Sequence, residues 1–276
     1  MSKDIEAVSH LFIPDTQVKA GVPTAHLEWI GQYIVDRKPT RVIHIGDHWD
    51  MPSLSTYDRG KIQFEGRRYE LDIEAGNHGF ELLNKPLEAF NRKKLAHKEK
   101  QWWPDRHFFR GNHEHRVRRA IEENGILDGT IGYDDMDTRG WDVHEFLSPV
   151  FLDGVGYAHY WYNPMNGRPY SGMAATRLKQ VGHSFSMGHQ QTLDHAIRFV
   201  GDKSHHALIA GACYLHDEDY KGPQGNHHWR GVVMKHQVED GSYNLMLVDL
   251  EYLCRRYEGK RLDQFMKLKK NIFLMS

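Results

Sequence analysis

An α/β fold is the reading of this 276-residue chain, and three observations lead to it. Stretches of strand length centred on adjacent apolar residues, at 8–13, 41–45 and 106–110, alternate with stretches whose apolar residues recur at helical spacing. The joints are short, so the first strand, the helix after it and the second strand form a βαβ unit with a parallel strand pair. Each run also ends in a polar cluster, at the edge where open α/β sheets place their chemistry.

Taken in order, Val8-Ser9-His10-Leu11-Phe12-Ile13 is a first strand stopped by Pro14, which has no N–H to extend a ladder. Thr24 stands as N-cap to a helix carrying Leu27, Ile30, Tyr33 and Ile34 on one face, and Pro39 ends it. Arg41-Val42-Ile43-His44-Ile45 is the second strand. Residues 69–101 form a helical insertion, charged but striped by Leu82, Leu83, Leu87, Phe90 and Leu95, with Pro86 starting its second half or kinking it. Trp102-Trp103-Pro104 closes the insertion before the third strand, and a helix over 114–124 ends at Gly125. The second half is richer in strands. A hairpin over 151–157 turns at Asp153-Gly154, and a helix over 173–181 precedes strands at 184–187 and 207–210. A final hairpin pairs 232–238 with 243–250 around Asp240-Gly241. With no repeat, low-complexity tract or linker, residues 1–276 read as one domain.

Composition narrows the function classes. At 39% hydrophobic and 26% charged residues the chain reads as soluble and able to bury a core. A net charge of -1 argues against a protein held on nucleic acid by bulk positive charge, while leaving room for a local basic groove. Cys213 and Cys254, both placed in strands, are too few for a disulfide scaffold and read as buried thiols of a reducing compartment. Lys3, Asp4 and Glu6 stand where a signal peptide needs apolar residues, and no apolar run nears the roughly 18 residues of a membrane span. The expectation is a cytosolic protein with no membrane partner. Twenty histidines are many for this length, and most must be bystanders.

The polar clusters are Ile13-Pro14-Asp15-Thr16-Gln17, Ile45-Gly46-Asp47-His48-Trp49-Asp50, Arg110-Gly111-Asn112-His113-Glu114, Gly156-Tyr157-Ala158-His159 and Met187-Gly188-His189-Gln190-Gln191. Asp15 and Asp47 follow strands expected to be adjacent and parallel. Two carboxylates side by side repel and lose hydration, and a cation between them relieves both. Asn112 adds an amide oxygen, while His159 and His189 add imidazole nitrogens. His159 has rivals: it also reads as a core histidine between tyrosines, with His144 as the competing ligand. Nothing points to a serine or cysteine nucleophile. His216, Asp217 and Asp219 read as a polar loop rather than a metal patch.

Gly46-Asp47-x-x-Asp50 and Gly111-Asn112-His113-Glu114 resemble the second and third signatures of the calcineurin-like metallophosphoesterases. Asp15-x-Gln17 resembles the first, usually Asp-x-His, and Gly188-His189-x-Gln191 the last, usually Gly-His-x-His. The match runs in order from Asp15 to Gln191, and the chain beyond carries no signature. The resemblance implies a sandwich of two mixed β-sheets flanked by helices, with the metals at one edge, and a member of bacteriophage type acting in the host cytoplasm. It implies a first divalent ion on Asp15, Gln17, Asp47 and Gln191 and a second on Asp47, Asn112, His159 and His189, with Asp47 bridging. Two such ions acidify the water between them and clamp phosphoryl oxygens. His113 would be the general acid, Asp50 would hold its tautomer, and Arg110, Arg116 and His48 would meet the phosphate.

Gln17 and Gln191 depart from the family's histidines on the same ion. That subsite becomes all oxygen, suiting Mg²⁺ or Mn²⁺, while the other also suits Zn²⁺, Fe²⁺ or Ni²⁺. One tight and one loose ion are expected. The activity implied is a metal-dependent phosphoesterase, with diesters in nucleotides or nucleic acid preferred over monoesters. That preference leans on the basic run Arg92-Lys93-Lys94 to Lys100, on Trp102-Trp103 and on Arg116, Arg118 and Arg119. The basic run also reads, more simply, as a solvated helix face over packed tryptophans. Two alternatives stay open: a phosphomonoesterase for small molecules or phosphoprotein, and a binding module whose first metal site has decayed.

Overall fold

Strands β1 (His10–Ile13) and β2 (Arg41–His44), joined by helix α1 (Ala25–Arg37), pair in parallel with His10 opposite Arg41 and Ile13 opposite His44. The arrangement is seen in a computed structural model that describes residues 7–56, 65–218 and 221–273. Thr24 sits at the N-cap position of α1, but its carbonyl rather than its side chain takes the first bond, from Leu27 N at 3.0 Å. The helix closes at Lys38, a left-handed residue whose N–H returns to the Ile34 carbonyl just before Pro39.

The insertion is one helix, α2 (Tyr69–Ala96), running through Pro86. It lies on α1 and closes over the loop after β2, where Gly76 meets Trp49. A Cβ at Gly76 would stand 1.9 Å from the Trp49 ring, and that ring is fully buried. Alanine ordinarily gains about 1 kcal/mol over glycine inside a helix, but overpacking costs about 1–3 kcal/mol and the indole has nowhere to go. Gly76→Ala is therefore expected to lower the melting temperature by several degrees and to alter Trp49 fluorescence; an unchanged or raised melting point would show that the contact yields.

Strand β3 (Asp105–Phe109) pairs in parallel with β2, and helix α3 (His115–Glu123) follows. Strand β4 (Asp142–His144) extends the sheet in parallel; three partly exposed residues are too few to show a period in sequence. The hairpin of β5 (Val150–Leu152) and β6 (Val155–Tyr157) turns at Asp153-Gly154 as expected. A two-residue-per-strand hairpin, β7 (Tyr162–Asn163) with β8 (Arg168–Pro169), comes before α4 (Ala174–Val181) and β9 (Phe185–Met187). Strand β10 (Leu193–Val200) went unread because it is an edge strand held by pairing with β11 (Lys203–Ala210) and not by burial; Phe199 is 74% exposed. After the one-turn helix α5 (Gly222–Gly225), β12 (Gly231–Glu239) and β13 (Ser242–Asp249) form the last hairpin.

The chain then turns helical, through α6 (Leu250–Glu258) and α7 (Leu262–Phe273). This corrects the placement of Cys254 in a strand. Asp249 ends β13 and caps α6, accepting the N–H of Tyr252 at 2.7 Å, and Leu250, Leu253 and Cys254 are the buried face of that helix. Cys213 lies just beyond β11 rather than within it, and both thiols are free and buried.

The larger sheet has the order β13-β12-β1-β2-β3-β4 and the smaller β10-β11-β9-β6-β5; both mix parallel and antiparallel pairs. Side chains alternate along the central strands. Leu11, Val42 and Phe108 point into a core shared with α1, α2, α6 and α7. Phe12, Ile43 and Phe109 meet Val155, Tyr157, Leu208 and Ala210 of the second sheet. α4 covers that sheet's outer face with Ala174 and Leu178 against Phe185 and Ile209. The layers thus run helices, sheet, sheet, helix, and burial on both faces is why neighbouring residues of the central strands, Leu11 with Phe12, Val42 with Ile43 and Phe108 with Phe109, are both apolar. Among the described residues no helix is long and apolar enough to cross a membrane.

Candidate metal centre

Parallel pairing of β1, β2 and β3 delivers their following loops to one edge of the sheet. The first two loops stay laced together beyond the strands: Ile45 N bonds Ile13 O at 3.0 Å, Gln17 N bonds Asp47 O at 2.8 Å, and Val18 N bonds His48 O at 2.7 Å. Gln17, Asp47, His189 and Gln191 all take left-handed backbone conformations, with φ of 39°, 49°, 69° and 58°. Such residues cost of order 1–3 kcal/mol each and persist only where the surroundings hold them.

Glu114 is what holds the loop of Asp47. It is fully buried, and its carboxylate accepts the backbone N–H groups of Asp47 (2.9 Å), His48 (2.6 Å), Trp49 (3.0 Å) and Gly111 (2.7 Å). The sequence reading gave Glu114 no role beyond the start of a helix. Its one signal was an acid in the polar stretch directly ahead of that helix. Close approach accounts for two motif glycines: a Cβ at Gly111 would lie 2.1 Å from an Asp47 oxygen, and one at Gly188 would lie 2.2 Å from an Asp15 oxygen.

Asp47, His159 and His189 each bring one ligand atom within 4.8 Å of the others. Asp47 Oδ2 is 3.3 Å from His159 Nε2, and Asn112 Oδ1 is 3.0 Å from His159 Nε2 and 2.7 Å from His189 Nδ1. His159 Nδ1 donates to the Ile45 carbonyl at 2.8 Å, which turns Nε2 toward the carboxylate, the ring setting that ligating histidines use. Burial alone would lower the pKa of His159, but the carboxylates of Asp47 and Asp15 outweigh it and raise it to about 9. For Asp47 burial acts upward, and the His113 and His159 imidazoles overcome it, holding the carboxyl well below its usual range. Burial pushes Asp15 the other way, up to about 7, with Asp47 adding and His159 opposing. One carboxylate is thus kept ionised by its imidazoles, and its neighbour is driven toward neutrality.

His113 stands beside this group. Its Nδ1 lies 2.7 Å from Asp50 Oδ1, its Nε2 lies 3.7 Å from Asp47 Oδ2, and its backbone N–H donates to Asp47 Oδ1 at 2.9 Å. Burial lowers its pKa, but Asp47 and then Asp50, against Arg116, leave it raised overall. Arg116 Nη2 is 3.1 Å from His113 Nε2, and its Nη1 donates to the Asp50 carbonyl at 2.7 Å. A guanidinium only donates, so the contact with Nε2 belongs to the neutral ring. Lys19 braces Asp50 from behind: its Nζ is 3.0 Å from Asp50 Oδ2 and 2.9 Å from Glu218 Oε2. Neither Lys19 nor Glu218 was singled out in the sequence.

Other expected residues lie elsewhere. His48 is fully buried, bonded to the Thr16 hydroxyl at 2.8 Å and to the Gly76 carbonyl at 2.9 Å, with its ring against Phe80; it faces the core and not the phosphate. Arg110 pairs with Glu145 and lies over the Tyr133 ring, neither of which belongs to the cluster. His144 stacks on His107 and does not join Asp47, so between it and His159 the structure brings His159 to the carboxylate. The basic end of α2 and Trp102-Trp103 precede Asp105, at the start of β3 and so at the opposite edge of the sheet. Trp102 packs against the helical core as the simpler reading had it, its backbone N–H held by Asn91, whereas Trp103 is 43% exposed with the Arg106 guanidinium over its ring. Asp219 lies outside the described residues, and His216 bonds Glu218 at 2.7 Å.

The donors fit a divalent ion unevenly. Asp47, Asn112, His159 and His189 supply two oxygens and two nitrogens from one buried to half-open cluster, a set suited to Mn²⁺, Fe²⁺, Ni²⁺ or Zn²⁺. At the other subsite Asp15 takes the His189 N–H on both oxygens at 3.0 Å. Gln191 Oε1 accepts from the Tyr214 hydroxyl at 3.0 Å and from Lys221, and Gln17 has both amide atoms buried with no partner among the described residues.

Two solved structures align with 88% of this chain. One, whose description states no activity, is 10% identical, is covered over 99% of its length and gives a TM-score of 0.39. The other, Yfce, a phosphoesterase from E. coli, is 13% identical, covered over 100% and gives 0.38. No family model and no curated protein matches the chain. Likeness at that level carries no argument about function, which rests on the side chains themselves.

Proposed function

We propose that this chain hydrolyses phosphate esters at a divalent-metal centre built on Asp47, Asn112, His159 and His189. The observation that carries the reading is the convergence of those four donors beside an imidazole, His113, whose Nδ1 is fixed by Asp50. When bound, a divalent ion supplies Lewis acidity, polarising a phosphoryl oxygen and acidifying water. Asp50 holds the His113 Nδ1 proton, so that Nε2 is the atom that gives a proton to the departing ester oxygen. Arg116 leaves Nε2 when the ring is cationic and is then within reach of phosphate, which its fork of donors matches. Glu114 and Lys19 keep the Asp47 loop and Asp50 in place through the contacts above.

A diester is the favoured substrate, as nucleotide or nucleic acid, because the basic face of α3 adjoins the site: Arg116 is in it, and Arg119 reaches the Thr56 hydroxyl at 3.5 Å. The lysine-rich end of α2 gives no support to this preference, since it lies at the far edge. A pure binding module would need neither the His113–Asp50 pair nor the carboxylates of Asp47 and Asp50 that raise the proton affinity of His113 against its burial.

Bis(p-nitrophenyl) phosphate and p-nitrophenyl phosphate, each with Mn²⁺, test the reading. Turnover is expected, faster on the diester. His113→Ala is expected to lower kcat by roughly 10²–10⁴-fold with Mn²⁺ binding intact. An undiminished rate in that variant removes the proton donor, and no turnover of either ester by the wild type with any divalent ion removes the function.

A further inference from the structure

Of the two subsites, the one expected from Asp15, Gln17, Asp47 and Gln191 is furnished differently. Asp47, His159 and His189 bring their ligand atoms within 4.8 Å of one another, and Asp15 stands outside that group. Both Asp15 oxygens are engaged by the His189 N–H. Gln191 directs its Oε1 at two donors, the Tyr214 hydroxyl and the Lys221 ammonium, and Lys221 Nζ is also 3.3 Å from the Tyr214 oxygen. A divalent ion on Gln191 would have to displace a cation already bonded to that oxygen, at close like-charge range. Gln17 points the same way. An ion would satisfy its amide oxygen only, whereas its buried NH₂ also lacks a partner and calls for an acceptor.

We propose that this subsite is an oxyanion pocket and not a metal site, with the Lys221 ammonium, seated by Gln191 and Tyr214, binding a phosphoryl oxygen beside a single ion on Asp47, Asn112, His159 and His189. A lysine is a compact point charge for phosphate, and here it would supply one of the two positive charges that a second ion would bring. Lys221 comes from the stretch between β11 and β12, beyond the last sequence motif, which is why the motifs gave no hint of it. The inference deepens the phosphoesterase reading and rests on it for the identity of the anion.

The test uses the full chain with MnCl₂ and inorganic phosphate as probes. Calorimetry and metal analysis are expected to give one Mn²⁺ per chain. Lys221→Ala should leave that stoichiometry at one and weaken phosphate binding to the Mn²⁺-loaded protein roughly tenfold or more, as loss of a charged hydrogen bond does. Lys221→Arg should keep most of the phosphate affinity, which separates loss of charge from loss of fold. Two ions per chain, no ion at all, or phosphate affinity unchanged in Lys221→Ala would each overturn the proposal. One ion and Lys221-dependent phosphate binding without ester hydrolysis would leave the pocket standing and sink the phosphoesterase reading. Hydrolysis with two bound ions would do the reverse.

Discussion

Asp47→Asn is expected to lower metal-dependent hydrolysis by roughly a thousandfold or more and to weaken Mn²⁺ binding at least a hundredfold, while the fold survives. The size of the effect follows from how many roles one carboxylate fills. It is the anion 3.3 Å from His159 Nε2 and 3.7 Å from His113 Nε2, and it accepts the His113 backbone N–H. Asparagine keeps the shape and the oxygen that takes that N–H, so the loop has no reason to collapse, and Glu114 still gathers the neighbouring N–H groups. It removes the charge, and with it the one strongly ionised oxygen in the cluster. The pKa of His159, raised to about 9 chiefly because Asp47 and Asp15 outweigh its burial, should then fall. Circular dichroism, calorimetric Mn²⁺ titration and hydrolysis rates check the three parts separately. Wild-type Mn²⁺ affinity in Asp47→Asn would mean that the ion, if there is one, sits elsewhere.

The second large effect is acid lability. Burial, the leading cause in each case, lowers His10, His48 and His206 to about 4 and His26 to about 3, from 6.5. These are depressed histidines, so the unfolded chain binds protons more readily than the folded one. Their contribution to stability is whole above pH 6.5 and is lost as pH falls from there toward 4. Two and a half units on a fully buried ring correspond to about 3 kcal/mol, so a few such groups rival the 5–15 kcal/mol that holds an ordinary domain. Urea midpoints measured at pH 7.5, 6 and 5 should fall steeply, with unfolding in buffer between about pH 4 and 6. His26→Leu, which removes one of these rings at similar volume, should flatten the dependence. A midpoint constant from pH 7.5 to 5 would show that these rings are solvated on a route the static fold does not display.

Much of the architecture was legible because it is local. Adjacent apolar residues, Leu11-Phe12-Ile13, Val42-Ile43 and Phe108-Phe109, gave β1, β2 and β3, and turn dipeptides gave the β5–β6 and β12–β13 hairpins. The elements that escaped carry little local signal. β4 has three residues, β10 is exposed along an edge, and α6 began where the preceding strand pattern still seemed to run, although Asp249 and the spacing of Leu250, Leu253 and Cys254 marked it as a helix.

The candidate site divides along the same line. Residue type and position after a strand are properties of a short stretch of chain, and they sufficed to nominate Asp15, Asp47, Asn112, His113, His159 and His189. Which of those donors share a point in space is another matter, since it depends on strand order, on four left-handed backbone residues and on where distant loops land. Hence His48, one residue from Asp47, turns into the core, Glu114 gathers the Asp47 loop from within a named cluster that gave it no such role, and Lys19, Glu218 and Lys221 reach the centre from outside the clusters. Chemistry was written locally in the order of the residues; partnership came from packing, because side chains many positions apart meet only when the strands and loops between them have found their places.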